Sequence, residues 1–266
     1  EISACLVGSE MCIRDSLKPS TIQVKEMDMS RTFKLGVLAA AVMAAAPAVQ
    51  AYEAGDFIGR VGVVTVDPDS SSSNLNSNAL GELDGAKVSV DSNTQLGLTV
   101  SYMFTDQIAL GILGATPFKH NIEGDGSILG GAGKLAETKQ LPPTITLQYF
   151  PMPSGSKFQP YVGVGVNYTN FFEEKTTQTL TDTYATLASG VDRTDIELDD
   201  SFGLAAEIGL DYMVTDNIGV NAAIWYADID TEATINAYAG NTKADTSTID
   251  VDIDPWVYMV GLSYKF

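Results

Sequence analysis

Beyond residue 51 the chain alternates. Counting back from Phe266, the residues Tyr264, Leu262, Val260, Tyr258 and Trp256 share its face, while Lys265, Ser263, Gly261, Met259 and Val257 share the other. Residues 217–230 repeat this, with Ile218, Val220, Ala222, Ile224 and Tyr226 against Gly219, Asn221, Ala223, Trp225 and Ala227. In 201–214, Phe202, Leu204, Ala206, Ile208, Leu210 and Tyr212 oppose Gly203, Ala205, Glu207, Gly209 and Asp211. A period of two marks a β-strand whose faces meet different surroundings. The same pattern predicts strands at about 56–66, 93–104, 107–116, 143–150, 159–171, 201–214, 217–230 and 250–266.

The connections between them sort by length. Thr105-Asp106, Pro151 to Phe158 and Thr215-Asp216 are short, whereas 67–92, 117–142, 172–200 and 231–249 are long. Short turns at one end and long loops at the other are the signature of an outer-membrane barrel, and a β-sandwich does not sort its loops this way. Strand charges such as Glu207 and Asp211 fall on the less apolar face. A charge facing lipid costs about 2–4 kcal/mol at the bilayer midplane, so the apolar face looks outward. A soluble barrel would show the reverse. The predicted fold class is therefore all-β, an eight-stranded antiparallel up-and-down transmembrane β-barrel, with its short turns in the periplasm and its four long loops outside. Aromatics fall at the two interfacial levels. Tyr102, Phe104, Tyr149, Phe150, Tyr212, Tyr264 and Phe266 are expected to ring the periplasmic edge, and Tyr168, Phe202, Tyr226 and Trp256 the outer one.

The first residues read differently. Residues 1–26 show no usable periodicity and are read as an upstream segment that is not native. Arg31 and Lys34 then precede an apolar stretch from Leu35 to Ala46, and Val49-Gln50-Ala51 fits a small-x-small cleavage site. Residues 27–51 are thus expected to be a signal peptide, and 52–266 the barrel domain. Twelve apolar residues are too few to span about 30 Å of hydrocarbon. Cys5 and Cys12 both fall before Met27, so the barrel domain carries no thiol chemistry.

Composition narrows the partners. The net charge is −19, which argues against nucleic acid, since phosphate binding needs a basic surface. Within 52–266, only Glu53, Asp56, Asp106, Glu207, Asp211 and Asp216 lie outside the outward segments; the remaining acids sit in the long loops or the strand tips beside them. Asp228, Asp230 and Glu232 continue the outward phase of Tyr226, and Asp250, Asp252 and Asp254 that of Trp256. Two readings stay open: a solvated surface that repels other copies, or carboxylates bridged by divalent cations to lipopolysaccharide phosphates. No loop shows an EF-hand pattern, and no metal ligand is assigned.

Several motifs resemble a known family. Asp56-Phe-Ile-Gly-Arg-Val-Gly in the first strand, Gln159-Pro-Tyr-Val-Gly-Val-Gly-Val-Asn-Tyr in the fifth and the terminal Gly261-Leu-Ser-Tyr-Lys-Phe look like the OmpW family of small eight-stranded outer-membrane proteins. The resemblance covers essentially all of 52–266. It implies a narrow lumen, apolar toward its outer end, proposed to pass small hydrophobic compounds. It also implies that Phe266 is read by the outer-membrane assembly machinery.

The inward face can be read on its own terms. Arg60 points inward low in the first strand, with Glu207 and Asp211 inward near the periplasmic end of the sixth and Lys265 joining that level. Such charges are expected to pair, either as a plug or as an ion-selective constriction. Higher up, Val64, Val66, Trp225, Ala227, Ile229, Val251, Ile253, Val257 and Met259 are inward by phase. They form either a hydrophobic cup opening outward or the ordinary filling of a small barrel. Enzyme signals are weak. His120 lies in a long loop with no serine partner on a strand and reads as solvated, and Gly130-Gly-Ala-Gly133 lacks the context of a phosphate loop. No cofactor motif is found. Two functions remain: a passive route for small hydrophobic solutes, or a surface protein contacting lipopolysaccharide, phage or host, with a sealed barrel as its anchor. Outer-membrane lipid is the expected surrounding in either case.

Overall fold

The structure, a computed structural model, describes residues 51–187 and 189–266, so the expected upstream segment and all but the last residue of the expected signal peptide lie outside the described residues. In chain order the strands are β1 (Phe57–Asp67), β2 (Ser71–Ser72), β3 (Leu75–Ser77), β4 (Gly81–Leu83), β5 (Lys87–Val90), β6 (Asn93–Met103), β7 (Ile108–Ala115), β8 (Phe118–Asp125), β9 (Lys134–Leu141) and β10 (Thr144–Tyr149). They continue with β11 (Phe158–Thr176), β12 (Arg193–Leu198), β13 (Ser201–Met213), β14 (Ile218–Ala227), β15 (Asp230–Ala239), β16 (Thr242–Asp252) and β17 (Trp256–Lys265). One helix, α1 (Gln178–Leu187), follows β11, and a single helical turn at Gly126–Leu129 follows β8.

Eight strands close on themselves in the order β1-β6-β7-β10-β11-β13-β14-β17, and β17 returns to β1. Every pairing is antiparallel. These are the eight predicted barrel strands. Two of the short turns share one device. Phe104-Thr-Asp-Gln-Ile108 and Val214-Thr-Asp-Asn-Ile218 each place a threonine hydroxyl under two backbone N–H groups. Thr105 Oγ1 accepts from Gln107 and Ile108, and Thr215 Oγ1 from Asn217 and Ile218.

The outward faces carry large exposed apolar side chains, including Phe202 at 71%, Leu204 at 70% and Val260 at 68% exposure. A continuous belt of this kind is stable only where hydrocarbon replaces water. Aromatic pairs stand at its edges: Tyr102 with Phe57 and Phe104, Tyr264 with Phe266, and Tyr226 with Trp256. Tyr149, Tyr168 and Tyr212 are likewise exposed. Phe150, expected in the lower ring, instead turns inward and is fully buried against Tyr52 and Tyr161.

At the end carrying the long connections, here called the outer end, those connections are not loops. β11 continues past the barrel and carries β9, β8 and β5 beside it. A second sheet runs β12-β15-β16-β3-β4, with β2 paired to β16. The strand expected at 250–266 is broken. Asp254 takes a left-handed φ of +39°, and Pro255 has no N–H for a ladder, so β16 ends at Asp252 and β17 starts at Trp256. Two apolar cores result. One, including Val88, Ile122, Leu135, Ile196, Ile235 and Ile249, lies between the outer sheets. The other, including Ile58, Val64, Met103, Tyr161, Trp225 and Met259, fills the barrel.

Candidate functional site: a sealed floor beneath two apolar chambers

The floor is polar. Arg60 is buried, and its guanidinium grips both carboxylate oxygens of Asp211, with Nε at 3.1 and 3.0 Å and Nη2 at 2.6 Å. Its Nη1 donates to Ser101 Oγ at 2.8 Å, and Asn221 Nδ2 donates to Asp211 Oδ1 at 2.9 Å. The guanidinium also lies 4.8 Å from the Tyr161 ring centroid. Tyr161 has room for this because its register partner across β13 is Gly209, where a Cβ would fall 2.2 Å from the ring. Beneath it Phe150 packs against Tyr161, and Tyr52 meets Phe150 edge-on. Tyr161 shares the parity of Gln159 and Asn167, and that parity points it into the lumen.

Glu207 sits four residues above Asp211 on β13 and takes neutral donors instead of a cation. Thr146 Oγ1 donates at 3.1 Å, and Gln148 Nε2 and Trp225 Nε1 also donate to it. Arg60 and Asp211 form an ion pair across the lumen. Lys265 is half-buried at the end of β17, opposite Ile58, two positions beyond Ser263, the register partner of Arg60. It stands at the rim below the Arg60–Asp211 pair.

Above the floor the lining turns apolar, in two chambers. The inner one is a narrow space bounded by Val64, Val66, Leu113, Phe118, Trp225, Ile229 and Val257. The outer one is a narrow space between the outer sheets and α1, lined by residues such as Val88, Ile122, Leu135, Leu180, Ile235 and Ile253. Of the cup residues predicted from sequence, Val64, Val66, Trp225, Ala227, Ile229 and Val257 line the inner chamber and Val251 and Ile253 the outer. Met259 is buried level with Val64 in the barrel core and lines neither. Trp225 joins the two layers, with its ring in the inner chamber and its N–H on Glu207.

His120 is not solvated, as the sequence had suggested; it is buried on β8 and stacked on Phe118. Its Nδ1 faces the Asp91 carbonyl oxygen at 2.5 Å, and its Nε2 lies 3.0 Å from Gln140 Nε2. Burial lowers its proton affinity, with the Asp91 backbone bond and carboxylate opposing. Phe118, His120 and Ile122 alternate with Lys119, Asn121 and Glu123, a strand signal that could have revealed β8. Further out, Asp228, Asp230 and Asp254 bring carboxylate oxygens within 4.8 Å of one another. Burial, and then the charges of Asp228, Asp254 and Asp252, push the Asp230 carboxyl above its ordinary value.

A closed eight-stranded barrel with a lipid-matched belt, aromatic edges and a packed lumen defines an outer-membrane β-barrel protein. The match to known proteins is specific: the OmpW family model covers residues 53–266. The chain is 46% identical over 232 residues to outer membrane protein W of Vibrio cholerae, spanning 87% of this chain and 97% of that protein. Against outer membrane protein W of Escherichia coli it is 39% identical over 216 residues, 81% and 91% of the two chains. The crystal structure of OprG from Pseudomonas aeruginosa superimposes with a TM-score of 0.72 at 47% identity, covering 82% of this chain and 99% of that one. The chain belongs to the OmpW family and resides in the outer membrane.

Proposed function

We propose that this protein is a passive route by which small hydrophobic molecules leave the outside medium and enter the outer membrane. The observation that carries this reading is the stacking of two apolar chambers above a floor closed by buried polar bonds. An apolar solute gains about 25 cal/mol per Å² of surface removed from water, so both chambers favour it. The Arg60–Asp211 floor opposes passage straight down to the periplasm. Entry is between Ile128 and Leu187, which line the outer chamber and stay half exposed. Exit is sideways. Gly114 and Ala115 line both the inner chamber and a groove on the lipid face between β6 and β7, so little side chain separates the two spaces there.

The test is uptake of a small apolar compound by vesicles or cells carrying the protein. Val257→Asp should lower uptake at least about tenfold, because a charge in the inner chamber holds water there. An inward substitution avoids the lipid cost but buries a charge, so uptake is scored on variant protein whose β-structure is first checked by circular dichroism. Hydrated-ion conductance should be small and unchanged in Glu207→Gln. Strong ion flow whose selectivity shifts in that variant would replace this reading with an aqueous channel. No uptake by the wild-type protein would leave the sealed barrel as an anchor for surface contacts.

A further inference from the structure

Among the described residues, Gln140 alone lines both chambers, and it is almost completely buried. The orientation of its amide follows from its neighbour. His120 Nδ1 faces a carbonyl oxygen, which can only accept, so that nitrogen carries the hydrogen. In the neutral imidazole Nε2 is then an acceptor, and the Gln140 atom facing it must be the amide nitrogen. The lowered proton affinity of His120 agrees with a neutral ring. Gln140 Oε1 is left over. It is a buried carbonyl oxygen that no donor among the described residues reaches.

A buried acceptor without a partner costs about 1–3 kcal/mol. Here it stands in the wall where one apolar chamber gives way to the next, and a molecule passing between them can relieve that cost if it brings an N–H or O–H. We propose that Gln140 is a specificity-determining residue, and that the route favours apolar molecules carrying a single hydrogen-bond donor, such as aliphatic alcohols, over donor-free compounds of the same size. This rests on the reading of the chambers as a solute route. The apolar walls hold the hydrocarbon part, Gln140 Oε1 accepts the donor, and His120, fixed by Asp91, holds the amide in place. His120 acts here as a positioning residue.

The experiment compares two probes of equal size, 1-octanol and heptyl methyl ether; both contain one oxygen, but only the alcohol donates. Their retention by the refolded full chain in phospholipid vesicles is measured from headspace concentrations and normalised to each compound's partition into protein-free vesicles. Wild-type protein should retain the alcohol about tenfold more tightly than the ether, the worth of one such bond. In Gln140→Met, which keeps the length but loses the acceptor, that preference should vanish while ether binding persists. Equal retention of both probes by the wild type, or a preference unchanged in Gln140→Met, overturns the inference and leaves the hydrophobic route standing. Retention of neither probe overturns the route itself. If the variant does not fold, the wild-type comparison decides alone.

Discussion

Arg60 and Asp211 sit on β1 and β13, which are not neighbours in the barrel, so their bond crosses the lumen. Removing one partner strands the other charge in a buried site, at a cost of about 3–5 kcal/mol. Replacing both with apolar residues is expected to be much closer to neutral. Urea unfolding of the refolded protein in micelles should therefore show Arg60→Met and Asp211→Leu each strongly destabilised, with the double variant recovering most of the loss. A double variant as unstable as the two losses added together would show that Ser101, Tyr161 and Asn221 hold the floor without the ion pair. At this scale the sequence was informative wherever parity alone decides. Arg60, Glu207, Trp225 and Val257 point inward as expected, because placing a charge in lipid is costly enough to fix the register. Partner choice was less legible. Glu207 was expected among paired charges, yet Thr146, Gln148 and Trp225 satisfy it, and two of these, Thr146 and Gln148, come from a strand far from it in sequence.

Barrel strands were legible within a few residues because each separates lipid from lumen along its whole length. The outer sheets were not. β15 and β16 are water-covered on one face and rich in Thr, Ser, Asn and Asp, so their alternation lacks apolar contrast. The break at Asp254-Pro255 was hidden for a different reason: Val251, Ile253, Val257 and Met259 keep one parity across it, and only the proline signalled it. Between paired strands, the fit of large against small residues is directly testable. A methyl group at Gly209 would meet the Tyr161 ring at 2.2 Å, whereas one at Gly114 meets nothing within 4 Å. Gly209→Ala should thus cost about 1–3 kcal/mol by pushing the ring off Arg60. Gly114→Ala should be neutral or mildly stabilising. Thermal unfolding of the two variants in the same micelles checks both, and equal stabilities would show that Tyr161 can shift freely.

As a whole, the molecule pairs an apolar interior above with a polar lock below, and the belt around it fixes its depth in the membrane. Its closure has a consequence for chain order. β1 and β17 meet over ten register pairs, from Ile58 with Lys265 to Asp67 with Trp256, and the Phe266 N–H donates to the Phe57 carbonyl at 2.9 Å. The seam is as long as the pairing of β1 with β6 on its other side, so the barrel has no point at which it must begin. A circular permutant should therefore exist. In it, Phe266 is joined through a short Gly/Ser linker to Asp56, and new ends are opened at the Thr215-Asp216 turn. Refolded from urea into micelles, it should give the same heat-sensitive shift in gel mobility as the parent chain. A permutant that stays unfolded would mean that β1 must be laid down before β17 for the lock between Arg60 and Asp211 to form. If it folds, the circular order of the strands is all the barrel requires, and the gene could start at any of its short turns.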